Sequence, residues 1–304
     1  MSRSSSEISL SVEIPRDDSE QGIVADLMAL TKARLSMLVV ITTFVGYCMG
    51  TTGPIDWLRL MHAVLGTAMA AAAAAVLNQV FEAHVDRLME RTRYRPLPAG
   101  RMRRRTALAL GFGLAVLGVA YLWLAVNGLS AFLAAATVFI YLFIYTPMKR
   151  RTSFCITVGA IAGAIPPVIG WAAARPSLGL GAWVLFGILF TWQMPHFLAI
   201  AWMYRDEYAQ AGFVMLKRDD LSGCATAMQS LGFTLALSTI SLLPFTGGMS
   251  NAIYLIGALL LNVGLLIFAV QFLLQRERTS ARRLFFASIL FLPLLLGLMV
   301  CTKS

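Results

Sequence analysis

Long apolar segments alternate with short polar connections along most of the chain. Each apolar segment is long enough to cross about 30 Å of hydrocarbon as an α-helix. The pattern therefore predicts an all-α polytopic membrane protein with nine transmembrane helices within residues 23–304. The predicted spans are residues 34–51, 58–81, 106–126, 129–147, 153–173, 178–203, 223–246, 250–274 and 283–301.

The first 22 residues are polar and contain several acids. We expect residues 1–22 to form a disordered cytoplasmic tail, because they lack an apolar run that could pack or insert. For the same reason we expect no cleavable signal peptide in this segment.

The composition excludes an ordinary soluble domain. Hydrophobic residues make up 58% of the chain and charged residues only 13%, whereas soluble domains carry about 25% charged residues. The net charge is +10, but the bases stand in short runs between apolar segments. Such runs are typical of topology signals and of surfaces that face anionic lipid, so we expect no nucleic-acid partner.

Lys and Arg are concentrated in alternate connections of the predicted bundle. They cluster before the first span and in the connections 82–105, 148–152, 204–222 and 275–283. The positive-inside rule places these connections and the N-terminus in the cytoplasm, and the C-terminus in the periplasm. The two long polar loops, 82–105 and 204–222, would then share the cytoplasmic face.

The densest group of polar residues follows the second apolar segment without a break. Asn78, Glu82 and Asp86 are spaced four residues apart, so on a helix they lie along one face. Mg²⁺ prefers such oxygens together with phosphate and water. Arg91 and Arg95 follow at once, and guanidinium groups bind phosphate oxygens. The block predicts a site for a metal-bound diphosphate.

Other residues on the predicted cytoplasmic face could complete this site. Asp206 and Glu207 offer a second pair of oxygens from the loop 204–222. Four bases could share the charge of a phosphate group from other directions, namely Lys32, Arg34, Lys149 and Arg150. Each has a simpler interpretation, since acid pairs are common in loops and bases serve as topology signals.

Four stretches resemble the UbiA-type intramembrane prenyltransferases, and in particular the haem branch of that family. The resemblance covers nearly the whole chain after the tail. It implies a nine-helix UbiA-type bundle whose active site opens to the cytoplasm, with Mg²⁺ bridging an allylic diphosphate to two acidic clusters. The stretches are 78–86 continued by 90–100, 30–34, 145–152, and 192–197 with 205–208.

The resemblance also assigns roles to residues. Asn78, Glu82 and Asp86 match the first acidic cluster and Asp206 the second, so we expect these four to be catalytic and to bind the metal. Lys149 matches the family's diphosphate-side lysine. His196 lies in an aromatic span. It either packs in the core, contacts haem iron or takes part in proton transfer. The expected substrate-binding residues are Lys32, Arg34, Arg91, Arg95, Lys149, Arg150, His196 and Glu207.

The haem branch implies transfer of a farnesyl group from farnesyl diphosphate to a vinyl group of protohaem IX (haem B). The product would be haem O, which is used in assembling terminal oxidases. The expected cofactor is Mg²⁺, and the expected partners besides the substrates are membrane lipid, haem A synthase and oxidase assembly proteins. The expected location is the bacterial inner membrane.

The chain departs from the broad family pattern at several positions. Gln79 stands where many relatives have an aspartate, and Gln210 and Ala211 stand where the second motif would carry another acid. The first departure is typical of the haem branch. The second leaves the opposing loop short of acids.

Three alternative functions stay open at this point. A UbiA-type enzyme with another aromatic acceptor would be separated by an acceptor screen. A transporter of an anionic substrate would show flux without chemical conversion. A non-catalytic haem-binding assembly protein would tolerate loss of Glu82 and Asp86.

Overall fold

A computed structural model describes residues 22–304, so nearly all of the predicted tail lies outside the described residues. Within this range the chain is helical and contains no β-strand. A π-helical segment, Ile140–Tyr145, separates α5 from α6. The α-helices are α1 Ile23–Leu30, α2 Ala33–Gly50, α3 Trp57–Asp86, α4 Arg104–Ala125, α5 Gly128–Phe139, α6 Thr146–Met148, α7 Cys155–Ala164, α8 Pro166–Ala174, α9 Leu180–Met203, α10 Arg205–Gln210, α11 Cys224–Ile240, α12 Leu243–Thr246, α13 Ala252–Gln275 and α14 Arg278–Cys301.

The predicted all-α membrane fold is confirmed. Among residues 22–304, eight helical segments are long and apolar enough to cross a membrane. The first predicted span falls on α2, whose apolar part Leu35–Gly50 is shorter than the others. The count of nine is therefore approximate, because it includes this shorter helix with the eight full-length ones.

Prolines divide several of the spans. Pro166 begins α8 directly after α7, so the fifth predicted span is two helices in series. Pro147 stands just after the π-helical segment. It has no amide proton, and its ring crowds the carbonyl four residues earlier, so the regular α-helical ladder cannot continue through this point.

Glycines allow the closest helix contacts. Gly46 of α2 faces the carbonyl of Pro167, and Gly170 of α8 faces the carbonyl of Thr43. A Cβ atom at either glycine would overlap backbone atoms of the other helix. Helices in membranes gain van der Waals contact by such approaches, since lipid offers little hydrophobic drive for association.

Large apolar side chains cover the outside of the bundle. Phe112, Leu117 and Leu124 on α4 are 66%, 62% and 85% exposed. A surface of this kind is stable in hydrocarbon but not in water. The bundle therefore presents a lipid-facing exterior.

Three connections that are distant in sequence meet at one end of the bundle, here called the site end. The Val214 amide donates a hydrogen bond to the Lys149 carbonyl at 2.6 Å. Arg91 Nη2 donates to the Tyr208 hydroxyl at 3.0 Å. The loops 82–105 and 204–222 and the end of α6 thus form one surface, and the two loops lie at the same end of the bundle.

Candidate active site

The oxygen-bearing row lies at the end of α3. This helix has 30 residues, and at 1.5 Å per residue it is about 45 Å long, longer than the roughly 30 Å hydrocarbon core. Asn78, Glu82 and Asp86 occupy its last turns and are only 1%, 7% and 1% exposed. Buried carboxylates are stable only when they are paired with cations or donors. The structure supplies one cation to each member of the row.

Lys149 pairs with Glu82. Its Nζ atom donates to both carboxylate oxygens, at 2.9 and 3.1 Å, and the side chains are 11% and 9% exposed. The ammonium also lies 4.6 Å from the centre of the Tyr145 ring. Burial alone would lower the pKa of Lys149, but the nearby Tyr145 and Glu82 outweigh it and raise the pKa. The lysine is therefore held in its charged form.

Arg95 pairs with Asp86 from the loop that follows α3. Arg95 Nη1 donates to Asp86 Oδ2 at 2.8 Å, and the Asp86 side chain is 2% exposed. The loop is folded back by Thr92, whose hydroxyl donates to the Asp86 carbonyl at 2.8 Å. This short return explains why an arginine only nine residues later reaches the helix end.

Lys32 approaches the row from the turn between α1 and α2. Its Nζ atom donates to Asn78 Oδ1 at 3.0 Å, and Asn78 Nδ2 donates to the Thr146 hydroxyl at 3.2 Å. Burial, together with the positive charges of Arg95 and Lys149, lowers the pKa of Lys32 even though Tyr141 and Glu82 act in the opposite direction. The cations are therefore close enough to repel one another, and an anion between them would relieve that repulsion.

The backbone of Lys32 is left-handed, with φ of +48°. Side chains other than glycine rarely adopt this conformation, which costs about 1–2 kcal/mol. Gln79 of α3 stabilises the turn between α1 and α2. Its Nε2 atom donates to the carbonyls of Ala29 and Leu30 at 3.1 and 2.6 Å. Gln79 is fully buried, so it fixes the end of α1 and with it the direction of Lys32.

A cavity of about 480 Å³ opens beside Glu82. Its lining includes the apolar side chains of Phe81, Leu142 and Phe213. It also includes the charged side chains of Glu82, Arg150 and Arg151. A cavity of this size and composition suits a ligand with an apolar chain and an anionic head.

The second predicted cluster is not gathered with the first. Asp206 lies on α10, and its side chain is 87% exposed and 3.6 Å from Arg205. Glu207 is half-buried beside it. The loop nevertheless touches the end of α3, because Val85 and Met89 pack against Ala211 and Phe213. The structure thus brings this loop to the row while leaving Asp206 at the surface.

The remaining predicted residues have varied surroundings. Arg91 lies over the Tyr204 and Tyr208 rings, at 5.1 and 5.8 Å from their centres. His196 is stacked between Trp192 and Phe285, both 4.9 Å away, and its Nδ1 lies 2.8 Å from the Ser288 hydroxyl. Arg34 belongs to α2, and its side chain is outside the described part of the structure.

Comparison with known proteins identifies the family. The sequence matches the UbiA prenyltransferase family over residues 39–292. The chain belongs to the UbiA prenyltransferase family. This agrees with the resemblance expected from the motifs around Asn78 and Asp206, and it makes the chain an integral membrane prenyltransferase.

Related UbiA prenyltransferases are similar over most of their length. A protein named Protoheme IX farnesyltransferase from Solibacter usitatus is 46% identical over 287 residues, which is 91% of this chain and 98% of the relative. The human mitochondrial protein of that name is 39% identical, over 91% of this chain and 62% of the human protein.

Solved UbiA structures share the fold at low sequence identity. A UbiA homolog from Archaeoglobus fulgidus bound to DMAPP and Mg²⁺ has a TM-score of 0.63 at 12% identity, covering 90% of this chain and 99% of the homolog. A structure described as digeranylgeranylglyceryl phosphate synthase has a TM-score of 0.78 at 15% identity. The match covers 92% of this chain and 98% of that protein. These likenesses establish the fold of the bundle.

The row is chemically suited to a metal that is shared with a substrate. Its amide and carboxylate oxygens are hard donors, but successive members are one turn apart, about 6 Å. Among the side chains that the structure describes, no group of three or more His, Cys, Asp or Glu could hold a metal alone. The donor set therefore fits Mg²⁺ when phosphate oxygens and water complete the coordination.

Sequence reasoning missed several residues that shape the site of this UbiA prenyltransferase. Tyr145 and Phe213 both lie against the Lys149 ammonium, at 4.6 and 5.8 Å. Asp26 of α1 pairs with Arg101 at 3.0 Å and ties that helix to the loop after α3. A signal existed only for Tyr145, which precedes Lys149 within the matched stretch 145–152.

The Lys149–Glu82 pair predicts a coupled effect on stability. Lys149→Met should leave a buried carboxylate unpaired and cost about 3–5 kcal/mol. Lys149→Met combined with Glu82→Gln removes both charges, so most of the loss should be recovered. Thermal unfolding of the purified variants in detergent measures this. Equal unfolding temperatures for the single and double variants would contradict the pairing.

Gln79 predicts an effect that acts through Lys32. Gln79→Met has similar volume but leaves the Leu30 carbonyl without its donor, at about 1–3 kcal/mol, while the Ala29 carbonyl keeps the Lys32 amide. We expect the KM for the prenyl diphosphate to rise about tenfold, with a smaller change in kcat. Lys32→Met in the same background should then add little, because both changes remove one function. Additive losses in steady-state kinetics would show instead that Gln79 acts independently of Lys32.

Proposed function

We propose that this UbiA prenyltransferase transfers a farnesyl group from farnesyl diphosphate to a vinyl group of protohaem IX (haem B), giving haem O. The observation that carries the proposal is the buried row of oxygens with one cation on each member, beside a cavity that is mostly apolar but carries charged side chains. The relatives named Protoheme IX farnesyltransferase support the identity of donor and acceptor.

Lys32, Lys149 and Arg95 would bind the diphosphate of the donor. They come from three separate elements and converge on one face of α3. Cations in a buried site interact more strongly with an anion than they would in water. By stabilising the negative charge that develops on the leaving diphosphate, they make the allylic carbon–oxygen bond easier to break.

Asn78, Glu82 and Asp86 would hold Mg²⁺ together with diphosphate oxygens, and Asp206 would add an oxygen from the opposing loop. The ion, when bound, neutralises charge on the leaving group. Since Asp206 is exposed on a short helix, its part in the site requires this side chain to move toward the row.

The 480 Å³ cavity beside Glu82 would receive the farnesyl chain. Cleavage of the carbon–oxygen bond leaves an allylic cation and free diphosphate, and the Phe213 ring, which lines this cavity, would stabilise the cation as it does the Lys149 ammonium. The terminal vinyl carbon then forms a bond to the allylic carbon. Water adds to the resulting cation next to the porphyrin and releases a proton, which gives the hydroxyl of haem O.

Arg91, Arg34 and Arg150 would contact the charged groups of the substrates. The contact of His196 and Glu207 with the acceptor stays a prediction, because neither residue lines the cavity beside Glu82 or the cavity formed by residues 201–221. The distribution of Lys and Arg favours an active site that faces the cytoplasm of a bacterial inner membrane, with the C-terminus in the periplasm. Residues 23–304 would form one transmembrane domain behind a cytoplasmic tail. Haem A synthase and oxidase assembly proteins would receive the product.

Haem O formation tests the proposed function. Membranes that contain the protein should convert haem B to haem O when farnesyl diphosphate and Mg²⁺ are supplied, as measured by chromatography and mass spectrometry. Chelation of divalent ions should stop the conversion. An active preparation that prenylates another aromatic acceptor but not haem B would reject the assignment of the acceptor.

Replacement of the last carboxylate in the row tests the site. Asp86→Asn keeps the size of the side chain but removes its charge, so we expect turnover to fall at least about a hundredfold while the protein stays folded. Glu90→Gln is the matched control, because Glu90 is exposed in the same loop, and it should retain activity. Near-normal haem O formation by Asp86→Asn would rule out an essential carboxylate at this position.

A further inference from the structure

A second cavity, of about 530 Å³, lies under the loop 204–222 at the site end. Its volume is within the range of about 300–1,000 Å³ that is typical of ligand sites. Trp202, Tyr208 and Phe213 give it an aromatic wall, and Arg205, Lys217 and Arg218 give it basic groups. An aromatic wall with a basic rim suits a planar, amphipathic anion.

Some of the charged groups around this cavity already form hydrogen bonds or ion pairs within the protein. Asp220 accepts hydrogen bonds from the amides of Ala225 and Thr226 and from the Thr226 hydroxyl. Burial by itself would raise the pKa of Asp220, but these hydrogen bonds lower it. The carboxylate therefore serves the start of α11 rather than the cavity.

Two of the three bases are left for a ligand. Arg205 lies 4.2 Å from the centre of a Trp202 ring and 3.6 Å from Asp206. Lys217 and Arg218 are exposed, and within residues 22–304 neither forms an ion pair. They stand side by side and can bind two carboxylates in water-accessible positions.

The two cavities share one wall. Phe213 lines both the cavity beside Glu82 and the cavity under the loop, and it is only 7% exposed. The next residue, Val214, is hydrogen-bonded to the backbone of Lys149. A ligand in the second cavity would therefore lie next to the prenyl donor, with Phe213 bordering both ligands.

We propose that the cavity under the loop 204–222 is the acceptor site, in which Lys217 and Arg218 bind the two propionates of haem B. This rests on the proposed function. In haem B the two vinyl groups lie on the edge of the ring that is opposite the propionates. With the propionates at the exposed bases, the vinyl edge points inward toward Phe213 and the prenyl donor. The lysine and arginine thus orient the acceptor.

The decisive experiment removes the two bases and, separately, the two carboxylates. Lys217→Ala/Arg218→Ala is compared with Arg104→Ala/Arg105→Ala, which removes the same charge from exposed positions at the start of α4. Binding of haem B to purified protein is followed by its absorbance, and KM is measured for both substrates. The dimethyl ester of haem B is the second probe, because it lacks the propionate charge.

We expect the first double variant to bind haem B about tenfold or more weakly, as loss of two charge-assisted contacts implies. Its KM for haem B should rise in parallel, while its KM for farnesyl diphosphate and its binding of the ester match those of the parent protein. The control variant should behave as the parent does with all three compounds.

Several results would overturn the proposal. Unchanged binding of haem B by Lys217→Ala/Arg218→Ala would exclude carboxylate recognition at these bases. An equal loss for haem B and its ester would indicate a general disturbance or a site for lipid headgroups. If the double variant does not fold, Arg218→Gln gives the same comparison. Absence of haem O with normal, charge-dependent haem binding would refute the proposed reaction but leave the acceptor site standing.

Discussion

The burial of anionic and amide oxygens at the end of α3 is the constraint on which the site depends. Glu82 and Asp86 are nearly inaccessible to solvent, and an unpaired carboxylate in such a position would cost several kcal/mol. Their partners come from the end of α6 and from the loop after α3. Three stretches of chain must therefore meet at one place before the helix end is stable. The same requirement assembles a set of convergent cations.

Two irregular backbone segments lie beside this row. Lys32, whose backbone is left-handed, separates α1 from α2. The π-helical segment precedes Thr146, which accepts a hydrogen bond from Asn78. Unfavourable backbone conformations persist only where their surroundings determine them. Here Gln79 holds the turn at Lys32 through its hydrogen bonds to the end of α1. Pro147 interrupts the helix that contains the π-helical segment. Both deviations direct side chains toward Asn78, so the strain serves the placement of polar groups.

Much of this arrangement could be predicted from the sequence, and the reasons are specific. Apolar length predicted the spans, and the spacing of Asn78, Glu82 and Asp86 predicted a single face, because both depend on local geometry alone. The partners of that face could not be predicted, since they are set by how distant elements pack. Lys149 was matched through the family motif, but its bond to Glu82 was not. The burial of Gln79 and the exposure of Asp206 likewise depend on neighbours that no local pattern contains.

The site end contains two sets of cations that differ in burial, and the difference matches the anions that each would bind. Lys149 is almost fully buried, and Lys32 and Arg95 are partly so, which strengthens their attraction for a compact and highly charged diphosphate. Lys217 and Arg218 are exposed, which suffices for separate carboxylates that can stay hydrated. If all of these cations formed one cluster, the diphosphate and the haem carboxylates could bind at the same place. Two cavities that are both bordered by Phe213 give each substrate its own electrostatic environment, and the vinyl and allylic carbons would meet beside that side chain.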